Sequence, residues 1–134
     1  MIKDFKKLQD INVIEGSEGT TIRQIFHPHN TLSGIRFSIA HSTISPNKKS
    51  KLHKMKTSEV YYILEGEGIL QIDDKSIQIS KDNAIYIPPN SKQQIKNTGK
   101  NELKFLCIVD PAWTKEDEEI LEKWNIEISV KLTY

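Results

Sequence analysis

The chain has 134 residues, of which 37% are hydrophobic and 28% charged, with only 6 Gly and 5 Pro. That is the length of one globular domain with a real core, and the composition excludes collagen-like, low-complexity and disordered chains. The counts of 19 Lys plus Arg and 18 Asp plus Glu leave a net charge of +1, so no global field draws the molecule to nucleic acid or an anionic membrane.

In residues 1–10 charged side chains interrupt every short apolar run, so the core of a signal peptide is missing. No stretch approaches the roughly 18 apolar residues of a membrane span. The single cysteine, Cys107, cannot form an intrachain disulfide. These features together predict a cytoplasmic protein.

Short apolar-rich runs divided by turn residues then dominate, the rhythm of an all-β sandwich or barrel. Strands are predicted at 20–26, 35–44, 60–64, 68–72, 76–80, 84–87, 93–97 and 103–109. Asp73, Asp74 and Lys75 make a tight hairpin between two of them, and Glu65-Gly66-Glu67-Gly68 and Pro88-Pro89-Asn90-Ser91 supply turns. After Pro111 the pattern changes. Thr114 with Asp117 three residues on has the capping-box form, Glu116, Asp117 and Glu118 load a first turn with negative charge, and Ile120, Leu121 and Trp124 share one face. A helix over 114–124 is predicted, packed outside the barrel with its acidic side in solvent. Ile126, Ile128, Val130 and Leu132 then alternate with polar residues, the period-two signature of a terminal strand at 126–133 that must join a sheet. The reading is one domain over 1–134, with the barrel at about 20–110.

The segment His53-Lys-Met55-Lys-Thr-Ser-Glu59-Val-Tyr-Tyr-Ile-Leu-Glu-Gly66 resembles the first motif of the cupins: HxH, three or four residues, Glu, six residues, Gly. The second motif, G, five residues, PxG, two residues, His, three residues, Asn, is echoed from Asp82 through Pro88, Asn90 and Gln93 to Asn97. The resemblance is to a small single-domain, type-2 cupin. It implies a double-stranded β-helix, a jelly-roll barrel of two antiparallel sheets with an open mouth. Strand periodicity agrees, because Glu59, Tyr61 and Ile63 share one face and Gln93, Ile95 and Asn97 share another. Turned inward, these faces would enclose a mostly apolar pocket with a few polar groups at its centre.

The resemblance also implies a divalent metal held by three histidines and a glutamate, and here the departures matter. The four positions hold His53, Met55, Glu59 and Gln93. Imidazole and carboxylate suit Mn, Fe, Ni or Zn, whereas a thioether prefers soft Cu(I) and an amide oxygen is a weak neutral ligand. His53, Glu59 and Gln93 are therefore a degenerate metal set, with the ion either weakly bound or absent. Met55, Tyr61 and Gln93 are the expected substrate contacts.

Other residues have plainer readings. His27 and His29 repeat the HxH spacing around Pro28, which suggests a solvent-facing turn, and His41 shares the parity of Ile35, Phe37 and Ile39 as a structural residue. Either group could replace the lost ligands. Lys48, Lys49, Lys51, Lys54 and Lys56 read as a solvated loop, and Cys107 as a buried structural thiol. No hydrolase signature is present.

The functional expectation is a cupin that binds a small polar organic molecule in its barrel. As a metal-assisted enzyme it would be of the oxygenase, decarboxylase or isomerase type; the alternatives are a metal-free binding or sensing module and a metal-free acid–base enzyme built on a His–carboxylate pair. A homodimer through sheet faces or terminal strands is expected, with neither nucleic acid nor membrane as partner.

Overall fold

The structure, a computed structural model, describes residues 5–16, 20–30 and 34–121. Its strands are β1 (Ile14–Glu15), β2 (Thr20–Phe26), β3 (Ser38–Ile44), β4 (His53–Met55), β5 (Ser58–Glu65), β6 (Glu67–Ile72), β7 (Lys75–Ser80), β8 (Ala84–Ile87), β9 (Gln93–Asn97), β10 (Leu103–Asp110) and β11 (Glu118–Ile120). One sheet runs β1-β2-β3-β10-β5-β8 and the other β11-β4-β9-β6-β7. Every pairing is antiparallel.

The core forms where the inward faces of the two sheets meet. Ile44, Tyr61, Ile63, Ile87, Leu103 and Phe105 from the first sheet pack with Leu70, Ile79 and Ile95 from the second. Each comes from a strand whose alternate residues turn outward, as the period of two requires. The hairpin between β6 and β7 closes where Ile72 pairs with Lys75, and Asp73 adopts φ 53° in the turn, a left-handed conformation that Asp tolerates better than most residues. Gly66 joins β5 to β6 at φ 90°, and a Cβ there would sit 2.8 Å from the Glu102 carbonyl oxygen. Only glycine fits. Asn97, wholly buried, laces the sheets together: its Nδ2 donates to the carbonyls of Ile44 and Asn101, and its Oδ1 accepts from the Gly99 amide.

Strands 20–26, 84–87 and 93–97 have their expected bounds, while β3 begins at Ser38 rather than at Ile35. The larger correction lies after Pro111. Thr114 and Asp117 do interact, but side chain to side chain, Oγ1 donating to Oδ2 at 2.8 Å, and they frame a single 3-10 turn over Lys115–Asp117. Glu118–Ile120 then pairs with β4, with Glu118 opposite Met55 and Ile120 opposite His53. The amides of Lys56 and Leu121 donate to the carbonyls of Asp117 and Leu52 on either side. Local helix preference amounts to tenths of a kcal/mol per residue, and an open strand edge offers a full backbone ladder instead. The rest of the predicted helix, with Trp124, and the terminal strand at 126–133 lie outside the described residues. No helix among the described residues is long and apolar enough to cross a membrane.

Candidate functional site

Between the sheets lies a cavity of about 670 Å³. Its walls are mainly apolar, with Ile22, Ile44, Met55, Phe105, Val109 and Ile120 among the lining residues. Glu15 and Lys51 are exposed and mark its rim. On this wall β5 places two polar side chains, Glu59 and Tyr61, which are only 3% and 4% exposed.

These two belong to one hydrogen-bonded chain. The Tyr61 hydroxyl donates to Gln93 Oε1 at 2.7 Å, and Gln93 Nε2 donates to Glu59 Oε1 at 2.8 Å. Cys107 Sγ donates to the other carboxylate oxygen, Oε2. The direction of the chain follows from chemistry: an ionised carboxylate only accepts, so it must meet the amide NH2, which turns the amide oxygen to the phenol. Strand register brings the members together, since Cys107 pairs with Tyr61 and Val109 with Glu59 between β10 and β5.

Burial pushes the Glu59 carboxyl above its ordinary value of 4.5, although the hydrogen bond from Cys107, the charge attraction of His53 and the hydrogen bond from Gln93 oppose it. Burial, then the Glu59 charge, lifts the Tyr61 phenol well above its usual range. The same two causes raise the Cys107 thiol, so it stays protonated and acts as a donor to the carboxylate.

The remaining expected site residues sit around this chain. His53, half-buried on β4, faces Gln93 in register and lines the cavity, and its Nδ1–H donates to the Lys51 carbonyl at 2.7 Å. It makes no hydrogen bond to Glu59 among the described residues. Met55 is buried on the cavity wall, as is Tyr61. Gln93, the third expected contact, is 1% exposed and joins Glu59 to Tyr61.

His27 departs from the solvent-facing expectation. It is buried at the end of β2, with Nε2 on the Trp113 carbonyl at 2.7 Å and Nδ1 accepting the His29 amide at 3.2 Å, while the exposed His29 ring stacks on it at 4.9 Å. His41 is buried on the face of β3 turned away from the cavity, and burial followed by Lys104 and Arg23 lowers its pKa. Three cavity residues have contacts that the sequence does not show. Cys107 holds Glu59, Trp113 donates its indole N–H to Glu118 Oε2 at 2.9 Å, and Glu118 lines the cavity from β11.

The four motif positions do not fit the metal that a cupin barrel implies. His53 alone has the required form, with one ring nitrogen fixed by a backbone carbonyl. The Gln93 oxygen is spent on Tyr61 and its N–H2 faces the carboxylate, and Met55 offers a thioether, which leaves Glu59 as the one oxygen donor beside His53. No group of three or more His, Cys, Asp or Glu among the described residues is placed to hold an ion.

Comparison with known proteins agrees with the motifs. The family of cupin domains matches residues 40–109. The chain belongs to the cupin family. It is 42% identical over 106 residues to an uncharacterized protein of Methanocaldococcus jannaschii, covering 78% of this chain and 84% of that one. It is 31% identical over 71 residues to an oxalate-binding protein of Thermotoga maritima, covering 52% of this chain and 59% of the relative. Among solved structures, a cupin-2 domain protein of Rhodospirillum rubrum superposes with TM-score 0.69 at 18% identity over 84% of this cupin and 82% of its own length. A Bacillus subtilis oxalate decarboxylase with Mn(II) centres gives 0.77 at 22% identity, over 87% of this chain and 32% of the enzyme. At such identities the structural likeness concerns the fold. This cupin has Asp82 and Asn90 where the second motif has glycines, and they adopt φ 69° and 66°, the left-handed region that Asp and Asn enter most readily after glycine.

In titrations with Mn(II), Fe(II), Ni(II) and Zn(II), the unmodified protein should bind about 10–100-fold more weakly than the Met55→His/Gln93→His variant, because each imidazole replaces a poor donor. Tight binding by the unmodified protein, weakened by both substitutions, would contradict the assignment of this donor set.

Proposed function

We propose that this cupin binds a small organic molecule in its barrel, against Glu59, and does so without a tightly held metal. The observation that carries this reading is the Tyr61–Gln93–Glu59–Cys107 chain at the wall of a mainly apolar cavity. A carboxylate oxygen has two lone-pair sites, so each Glu59 oxygen keeps one acceptor position after its internal bond. The ligand that suits this wall is chiefly apolar, with one hydrogen-bond donor that meets Glu59. That narrows the expectation of a generally polar molecule. The likeness to an oxalate-binding protein supports small-molecule binding as a class; oxalate itself would set a dianion against a carboxylate.

The raised Glu59 carboxyl supports a second reading, acid–base chemistry without metal, since upward is the direction in which burial tunes a carboxyl for general acid–base work. Under either reading Tyr61, Gln93 and Cys107 are positioning residues. They fix the rotamer of Glu59 and so the direction from which a ligand's proton can approach.

The same reading makes the protein a homodimer. Tyr62 and Tyr86, 37% and 59% exposed, lie on the outer face of the first sheet, where Val60 pairs with both Ile108 and Tyr86 in a largely apolar cross-strand row. Light scattering at micromolar concentration should give the mass of two chains, falling to one chain in a Tyr62→Lys/Tyr86→Lys variant. A single-chain mass for the unmodified protein would contradict the dimer.

For the cavity itself, the neutral probe N-phenyl-1-naphthylamine should bind with one site per chain and a fluorescence gain. Ala40→Phe, which fills the lining from β3, should abolish binding while circular dichroism stays unchanged. Binding that survives Ala40→Phe, or no binding to the unmodified protein, would overturn the barrel as the ligand site.

A further inference from the structure

The charges facing the cavity are unequal in depth. At the rim, exposed Glu15 and Lys51 offset one another. Farther in, the acidic groups are Glu59, buried, and Glu118, half-buried, and no Lys or Arg among the described residues lies within ion-pair distance of either. Of the imidazoles, His53 is the one that acts on Glu59. His27 spends both ring nitrogens on backbone groups, donating through one and accepting through the other, which is the pattern of the neutral ring. His29 stacks on it from the exposed side. His53 attracts the Glu59 charge but donates its identified hydrogen bond to Lys51.

Two inward carboxylates thus meet three neutral donors and one imidazole, that of His53, with no Lys or Arg among the described residues in ion-pair distance. Gln93 and Cys107 serve Glu59, and the Trp113 indole N–H serves Glu118. Such donors stabilise a negative charge without cancelling it, and a carboxylate in an apolar enclosure gains most from a cationic partner. The walls offer the surfaces that an organic cation uses, with Tyr61, Phe105 and Trp113 as aromatic lining and Met55 beside them.

Resting on the reading of the barrel as a binding site, we propose that its ligand is an organic ammonium: a primary or secondary amine on an apolar, aromatic-sized body, its N–H groups on Glu59 and its charge shared with Glu118. Anionic ligands are excluded by the same pair. A neutral alcohol of the same shape would make the hydrogen bond and miss the charge.

The test is displacement of bound N-phenyl-1-naphthylamine by three isosteres, 3-phenylpropylamine, 3-phenylpropanol and 3-phenylpropionate. The amine should displace the probe at a concentration at least about 10-fold below the alcohol, with the propionate weakest, as expected for a charge-assisted hydrogen bond against a neutral one. Glu59→Gln should remove most of the amine's advantage and leave displacement by the alcohol. Glu118→Gln, at a strand edge where folding is least at risk, should reduce the advantage in part, so the inference stays testable if Glu59→Gln fails to fold. An amine preference that persists in Glu118→Gln and in any folded Glu59→Gln protein would overturn the inference. So would propionate displacing as well as the amine, an outcome that leaves the barrel as a binding site. Failure of the probe to bind at all would overturn both.

Discussion

The energetics of this barrel turn on one buried group, the carboxyl of Glu59. An isolated ionised carboxylate in an apolar interior would cost many kcal/mol, so such groups survive burial only by being neutralised or by receiving hydrogen bonds. Here the bonds come from Gln93 on the opposing sheet and Cys107 on the neighbouring strand, and Gln93 is itself held by Tyr61. The chain therefore crosses from one sheet to the other. Removing a member strands a buried donor or acceptor, which costs about 1–3 kcal/mol per group left unpaired.

The same arrangement explains why the fold of a metal-binding family carries a different centre here. A divalent ion demands lone pairs directed at one point, and two of the four motif positions supply the wrong donor: Gln93 presents N–H and Met55 fills volume. At these positions the barrel holds a carboxyl supported by the donors Gln93 and Cys107. On the proposed reading, its mainly apolar walls suit ligands with a hydrocarbon body, and Glu118 would bias the charge of their polar end.

Much of the barrel was legible in the sequence because its strands follow a period of two and its turns use residues with special backbone freedom. The 20–26, 84–87 and 93–97 strands show their limits through flanking turn residues, and the inward parity of Glu59, Tyr61, Gln93 and Ile95 follows once one of them is inside. Cys107 shows what such reading cannot reach. It shares the inward parity of Phe105 and Val109, yet its role depends on β10 pairing with β5 in a particular register, information carried by residues more than 40 positions away. Glu118 is the same case in stronger form. A run of acidic residues after Thr114 reads locally as a helix start, and only the open edge of β4 turns it into a strand with Glu118 facing the cavity. His27 was misread because Pro28 marks a turn correctly but says nothing of Trp113, whose carbonyl draws the ring inward.

The most direct measurement is the titration of the Glu59 side-chain carboxyl by 13C NMR in the ligand-free protein. A raised folded midpoint means that the folded state binds the proton more tightly than the unfolded chain, so stability falls as pH climbs from about 4.5 through the folded midpoint. The account predicts a midpoint above 4.5, with the Cys107 and Gln93 resonances shifting in step as their shared acceptor loses its charge. A midpoint at or below 4.5 would contradict it, because the hydrogen bonds within the protein would then fully offset the cost of burying the charge and leave no penalty for a cationic ligand to relieve.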